Sequence, residues 1–442
     1  MESLPLPPRP NFEHYQKRAK DLVKAAQSAT PDAVHAWASD WLRSLAKSLG
    51  VAVDDRTRSA LDEAIVRIEK RVRAKVDGAH AANEDFTLAD AQFLIASAHG
   101  FVNWGDFAKH LREAFQGDTR GREFEAAVDA VVTGDMATLE PLIRQQPDLV
   151  RAHSAREHRA TLLHYVAANG VENYRQRTPK NAVDVARFLL ESGAEPDALA
   201  NTYGNDWWQT TMNLLVSSAH PAIAGLQSAL VDVLVDFGAA VNGLKDDETP
   251  LFTSLDFGYI APAETLVRRG ARVDNVVTAA AMGRLDLVRT YVIDKNTLRP
   301  GIPLLAVPWR KLPADAKTHI ELALVWACKF ARADIAEFLL DLGVNFAAVD
   351  GYDMTPLHWA GANGLTRVIE RLLALGSPLE AENTWGGTVL NSTLHFVVND
   401  SVKGVDYAAV IELLLAAGAD VTVVDPEPTG NARVDEVLRR YR

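Results

Sequence analysis

The sequence predicts an all-α protein: a small helical bundle followed by a solenoid of about eight stacked helix pairs with loop insertions. Three observations predict it. Apolar residues recur at helical spacing through the first 117 residues, a helix-pair unit recurs from residue 118 onward, and the glycines that close those units are spaced by the repeat period, lengthened where insertions fall. The expected division is residues 1–117 for the bundle and 118–442 for the solenoid, with a capping helix at its C-terminal end.

In the bundle, Phe12, Tyr15, Ala19, Leu22 and Val23 make the first apolar stripe, and Trp37, Trp41, Leu42 and Leu45 the second. Leu61, Ile65, Ile68, Val72 and Val76 form a third, with Arg and Glu on the opposite face. Thr87-Leu-Ala-Asp90 reads as a capped helix start, Gly100 as the stop of that helix, and Phe101, Trp104, Phe107 and Leu111 open the last one. A DNA-binding helix-turn-helix over 87–116 is the sharper alternative. It needs a basic second helix, and Asp106 beside Lys109 and Arg112 does not supply one.

The plainest repeat is Asp353-Met-Thr-Pro-Leu-His-Trp-Ala-Gly-Ala-Asn-Gly364, followed by Val368, Ile369, Leu372, Leu373 and Gly376. Thr355 can cap the first helix, and Pro356 loses no needed N–H at its first turn. Asn363-Gly364 ends that helix with a residue tolerant of positive φ. This unit resembles the ankyrin repeat, whose period is about 33 residues and whose signature is T-P-L-H-x-A. Worn copies centre on Thr161–His164, Thr211–Leu214, Thr249–Leu251, Ala279–Gly283, Leu322–Cys328 and Thr388–Leu390, with an atypical first pair over 123–150. The closing glycines Gly193, Gly238, Gly270, Gly343, Gly376 and Gly418 stand 45, 32, 73, 33 and 42 residues apart. The 73-residue interval holds two units, and the excess elsewhere marks insertions at Val171–Asn181, Ser218–Gln227 and Asn399–Asp406. A fourth insertion, Asp294–Thr318, carries Pro300, Pro303, Pro308 and Pro313.

The resemblance covers about 325 of the 442 residues. Segments Leu88–Ala96, Gly100–Trp104 and Gly170–Pro179 are similar to bacterial-type ankyrin proteins fronted by a helical domain. The resemblance implies protein recognition through a concave face of loop tips and first helices, and it implies no chemistry.

Composition narrows the function further. The chain is 48% hydrophobic and 24% charged, enough to bury a large core. Its single cysteine, Cys328, cannot form an internal disulfide or a multi-thiolate zinc site. The start lacks a signal-peptide pattern and no stretch approaches 18 apolar residues, so a soluble cytoplasmic protein without membrane contact is expected. Residues 1–117 hold 16 basic and 16 acidic residues, and the remainder 30 against 42, the whole net charge of −12. That acidity disfavours nucleic acid and anionic membranes as partners.

No standard catalytic or cofactor-binding signature is present, so no catalytic residue, cofactor or metal is expected. His164 and His358 occupy the T-P-L-H position, where the imidazole bonds neighbouring loop backbone. His153, His158 and His164 are spaced by 5 and 6 residues, which places no pair one helical turn apart for a metal. Cys328, between Trp326 and Phe330, reads as a buried thiol.

Aromatic residues are the better candidates. Tyr203, Trp207, Trp208, Tyr352, Trp359 and Trp385 fall at loop or first-helix positions that would face the groove, and Trp309 lies in the proline-rich insertion. Asn201-Thr-Tyr-Gly-Asn205 echoes Asn383-Thr-Trp-Gly-Gly387. Asp206, Asp246, Asp247, Glu248, Asp350 and Asp353 could meet a basic ligand or serve turns and caps. Tyr174-Arg175-Gln176 and His220-Pro221 are further contact candidates. The leading expectation is a non-enzymatic scaffold binding a protein or peptide. The alternative is a small-molecule site or atypical enzyme in a groove roofed by residues 294–318.

Overall fold

In a computed structural model, the chain is described at residues 3–7, 10–28, 30, 32–51, 55–116, 119–204, 207–307, 309–310, 312–423 and 428–442. The expected boundary between 117 and 118, with Asn205, Asp206 and Pro308, lies outside the described residues. The chain divides into two compact units, Met1–Leu244 and Lys245–Arg442.

The first unit begins with five helices, α1 (Phe12–Ala26), α2 (Ala33–Ser48), α3 (Asp55–Ala81), α4 (Leu88–Ala98) and α5 (Trp104–Gln116). Their predicted stripes meet in one core of Tyr15, Ala19, Leu22, Trp37, Trp41, Leu42, Ile65, Val72, Ile95 and Phe107. Asn11 caps α1 by accepting the Glu13 and His14 N–H groups, and Thr87 and Asp90 form the expected reciprocal box at α4. His99, fully buried, is the hub. Its ring stacks on Phe107 at 5.4 Å and meets Tyr15 and Trp41 edge-on, while Nδ1 lies 3.0 Å from the Leu4 carbonyl. Burial pushes its pKa down to about 3, so the imidazole is neutral and its Nδ1–H pins the N-terminal segment.

Three helix pairs follow: α6 (Thr119–Thr133) with α7 (Met136–Gln145), α8 (Leu162–Val166) with α9 (Ala182–Glu191), and α10 (Thr211–Val216) with α12 (Gln227–Asp236). A short helix, α11 (Ala219–Ile223), occupies the predicted insertion between the last two. Insertion 171–181 folds back on the first pair: Asn181 Nδ2 donates to the Gly134 carbonyl at 2.9 Å. Gly134 has φ +74°, and a Cβ there would lie 2.0 Å from Asn181 Oδ1, so both backbone and space require glycine.

The second unit holds five pairs: α13 (Thr249–Asp256) with α14 (Ile260–Arg268), α15 (Val276–Ala281) with α16 (Leu285–Tyr291), α17 (Ala316–Lys329) with α18 (Ala333–Asp341), α19 (Pro356–Ala362) with α20 (Thr366–Ala374), and α21 (Val389–Asn399) with α22 (Tyr407–Ala416). Among the described residues the first unit thus holds three helix pairs and the second five, an all-α build with the recurring helix pairs that the spacing predicts. α23 (Ala432–Tyr441) closes the end by burying Val434, Val437 and Leu438, with Arg433 and Arg440 paired to Asp406 and Glu412.

Two antiparallel hairpins add the described strands. β1 (Leu199–Asn201) pairs β2 (Trp208–Thr210) in a finger loop, and β3 (Val292–Asp294) pairs β4 (Thr297–Leu298) at the start of the proline-rich insertion. Helical periodicity does not register them because each strand spans only two or three residues.

Candidate functional site

The signature histidines set the geometry of the finger loops. Thr355 N–H donates to His358 Nδ1 at 3.2 Å, and His358 Nε2 lies 3.4 Å from the Gly387 carbonyl on the next finger. His164 repeats this, with Thr161 N–H at 3.1 Å and the Gln209 carbonyl at 3.3 Å. Burial lowers both pKa values, that of His164 to about 4. Nδ1 accepts, so the neutral tautomer carries its proton on Nε2 and ties one finger to the next.

In the second unit, three predicted aromatics come together. Tyr352 and Trp385 stack at 5.6 Å with planes 16° apart. They occupy equivalent places in successive fingers: Asp350 Oδ1 accepts from Tyr352 N–H and Met354 N–H, and Asn383 Oδ1 accepts from Trp385 N–H and Gly387 N–H. Trp359, on α19, joins the same loop through its Nε1–H, which donates to Asp350 Oδ2 at 2.9 Å.

Behind this pair lies a cationic layer that sequence reasoning missed. Insertion residue Arg310 donates to both carboxylate oxygens of buried Asp256, at 2.8 and 3.2 Å, and its guanidinium lies 5.1 Å from the Tyr352 ring centre. Gly351 makes that approach feasible, because a Cβ there would lie 1.4 Å from Arg310 Nη1. Trp309 Nε1–H donates to the same Asp256. Lys329, at the last position of α17, places Nζ 5.3 Å from the Trp326 ring and 5.5 Å from both Phe330 and Trp359. The ammonium donates to the Leu255 and Asp256 carbonyls at 3.2 and 2.8 Å. Burial lowers its pKa, opposed by the Asp350 and Asp256 carboxylates. The adjacent Cys328 thiol is buried and pushed up to about 12, so it is protonated at neutral pH.

The other three predicted aromatics sit on the β1–β2 finger of the first unit. Tyr203 donates its hydroxyl to Asn169 Oδ1 at 3.2 Å, Trp208 pairs with Asn201 across the hairpin, and Trp207 N–H donates to the Gly204 carbonyl. The six candidates therefore form two groups of three, one in each unit. Exposure separates them by degree: Trp385 is 72% exposed, Tyr203 51%, Trp208 46% and Trp207 37%, whereas Tyr352 and Trp359 are half-buried.

Some of the described acidic candidates turn inward and others pair at the surface. Asp247 caps Thr249, Asp246 pairs with Arg272, and Glu248 accepts from Asn275 Nδ2 at 2.6 Å and from Asp274 N–H at 3.1 Å. Asp353 stays exposed and accepts from Thr384 Oγ1 at 3.0 Å.

Arg175 also turns inward, into a charge cluster of the first unit. It pairs with Glu125, Asp129 and Glu172 at 2.7, 2.8 and 3.2 Å. Arg156, 1% exposed, pairs with Glu125 and Glu172, donates to the His99 carbonyl at 2.8 Å, and lies 5.4 Å from the Phe101 ring centre. Burial would raise Glu125, but Arg175 and Arg156 hold it at about 2; Glu172 is likewise held well below its usual range. Arg156 thus joins the bundle, the first helix pair and insertion 171–181. His158 Nε2 stands 3.4 Å from Glu172, and His153 Nδ1 2.6 Å from the Arg159 carbonyl, so the three clustered histidines face different partners. His220 is exposed on α11, and Pro221 is buried there.

Residues 324–390 match the model of a family described as ankyrin repeats in many copies. The chain is 26% identical over 226 residues to human ankyrin repeat and SOCS box protein 16, covering 50% of this chain and 46% of that protein. It is 27% identical over 180 residues to ankyrin repeat domain-containing protein SAT10 of Stachybotrys chartarum, covering 34% of this chain and 9% of that one. It is also 28% identical over 165 residues to palmitoyltransferase AKR1 of Lachancea kluyveri, covering 37% and 22%. The chain thus spans less than half the length of each. Among solved structures, the human ASB11 ankyrin repeat domain aligns at 20% identity with a TM-score of 0.32, over 66% of this chain and 98% of that one. These relatives are human and fungal, and none of them supports the expected bacterial type. No helix among the described residues is long and apolar enough to cross a membrane.

Proposed function

We propose that this chain is a non-enzymatic scaffold that binds a partner protein or peptide on its finger loops and first helices. One observation carries the reading: Tyr352 and Trp385 stack on successive fingers, and Trp385 keeps 72% of its surface in solvent. A large aromatic fixed by its neighbours and left exposed is the ordinary anchor of a protein interface. The Trp207–Trp208 finger offers a second such place. Residues 1–117 would cap the first helix pair, since a terminal repeat needs one non-sticky face. A ligand-pocket reading gains little from insertion 294–318, because Trp309 and Arg310 bond Asp256 of this chain.

The test is photo-crosslinking. p-Benzoylphenylalanine placed at 385 or 207 should give discrete protein adducts in a cell lysate, and the same residue at Val66, exposed on α3, should not. Absence of adducts at both finger positions overturns the reading. Alanine at Trp207 and Trp208 together should weaken capture at that finger about tenfold, about 1.4 kcal/mol.

A further inference from the structure

The second unit contains its own worked example of how its fingers hold a guanidinium. Arg310 lies over the Tyr352 ring and pairs through two hydrogen bonds with Asp256. Ring face plus carboxylate is the combination that suits a planar, delocalised cation. Tyr352 also stacks on Trp385, so cation, phenol and indole form a ladder of successive contacts.

The ladder stops at Trp385 with one indole face covered by Tyr352 and the residue 72% exposed. Beside it stands the exposed carboxylate of Asp353, fixed to this finger by the Thr384 hydroxyl at 3.0 Å, while Thr384 N–H donates to the Tyr352 carbonyl. Exposed Glu382 precedes the same turn, and residues 245–442 hold 20 basic against 26 acidic residues. Ring face and carboxylate are therefore present a second time, and among the described residues no cation of this chain lies over the Trp385 ring.

We propose that Trp385 and Asp353 receive an arginine side chain from an extended segment of the partner protein. The guanidinium lies on the outer indole face and turns its N–H edge to Asp353, continuing the ladder that Arg310 begins. This inference rests on the scaffold reading and names the partner's chemistry: a segment bearing arginine. Arginine is favoured over lysine because a planar cation can stack and pair at once, whereas an ammonium is a hydrated point charge.

Indole Nε1–H resonances of the full chain, labelled with 15N-tryptophan, provide the test, with the Trp385 signal assigned from Trp385→Phe. An acetylated, amidated tri-arginine peptide should shift that signal saturably, and tri-lysine should bind at least threefold more weakly. Asp353→Asn should weaken the tri-arginine titration about threefold while the other indole signals stay in place, which shows the fold intact. No shift at Trp385, an equal response to tri-lysine, or an unaltered titration in Asp353→Asn overturns the proposal. If adducts still form at position 385 in that case, the scaffold reading stands and only the arginine assignment falls. If adducts fail at both 385 and 207, both fall.

Discussion

One buried cation site in each unit shows a different chemistry, although the second unit also clamps Arg310 on the Asp256 carboxylate. In the first, Arg156 and Arg175 lie among the carboxylates of Glu125, Glu172 and Asp129. In the second, Lys329 is held by three aromatic faces and two backbone carbonyls. A carboxylate clamp is strong while it is ionised and fails when it is protonated. Ring faces and carbonyls do not titrate. The first unit therefore has a junction sensitive to acid, and the second a cation site whose ligands carry no proton to gain.

The sharpest way to break the comparison is to remove one partner of the clamp. Arg156→Ala or Glu172→Ala leaves buried charge unpaired and should destabilise the first unit by about 3–5 kcal/mol, read from its urea transition. A loss under 1 kcal/mol would show that the charges rearrange or hydrate instead.

Acid should act next. Glu125 sits at about 2 in the folded state against its ordinary value of 4.5, so the unfolded chain binds more protons in between. Its contribution, on the order of 3 kcal/mol, is present above pH 4.5 and is lost as pH falls towards 2. His164, lowered to about 4, has the same sign between 6.5 and 4. Glu248 in the second unit runs the other way. Burial and the neighbouring Asp274 carboxylate raise it to about 8, so its contribution is full below pH 4.5 and is lost as pH rises through 8. Glu248→Gln should therefore gain stability relative to the native chain from pH 4.5 up to about 8, and then level off. Thermal melts across pH check both signs.

Lys329→Met should have a smaller effect, about 1–2 kcal/mol, because Met keeps much of the apolar stem while two carbonyls lose a donor. The smallest effect belongs to Trp385→Ala. An exposed ring carries little folding energy, so stability should change by about 0.5 kcal/mol or less while partner binding falls. A large stability loss would recast Trp385 as a structural residue.

Much of this was legible in local pattern. Thr355-Pro-Leu-His358 announced both a capped helix and a histidine reaching the next finger, because cap and tether are fixed by residues adjacent in sequence. The likeness of the Tyr203 and Trp385 fingers was legible for the same reason, whereas the equivalence of Tyr352 and Trp385, 33 positions apart, emerged only with the structure. Arg310 on Asp256 and Arg156 on Glu125 were not legible, since each partner lies 54 or 31 residues away and follows no period. Insertions hid them. Arg310 and Arg175 both lie in stretches that break the repeat and then fold back on its core, where periodicity carries no register. Arg175 was visible as a candidate contact, but its inward direction depends on carboxylates of α6.

Cys328 has a consequence of a different kind. It is the one thiol in 442 residues, it is buried at the centre of the second unit, and its high pKa keeps it unreactive while covered. Alkylation by a soluble thiol reagent then requires an opening event in that unit. With mass detection, the labelling rate becomes an internal stopwatch for the opening of the second unit.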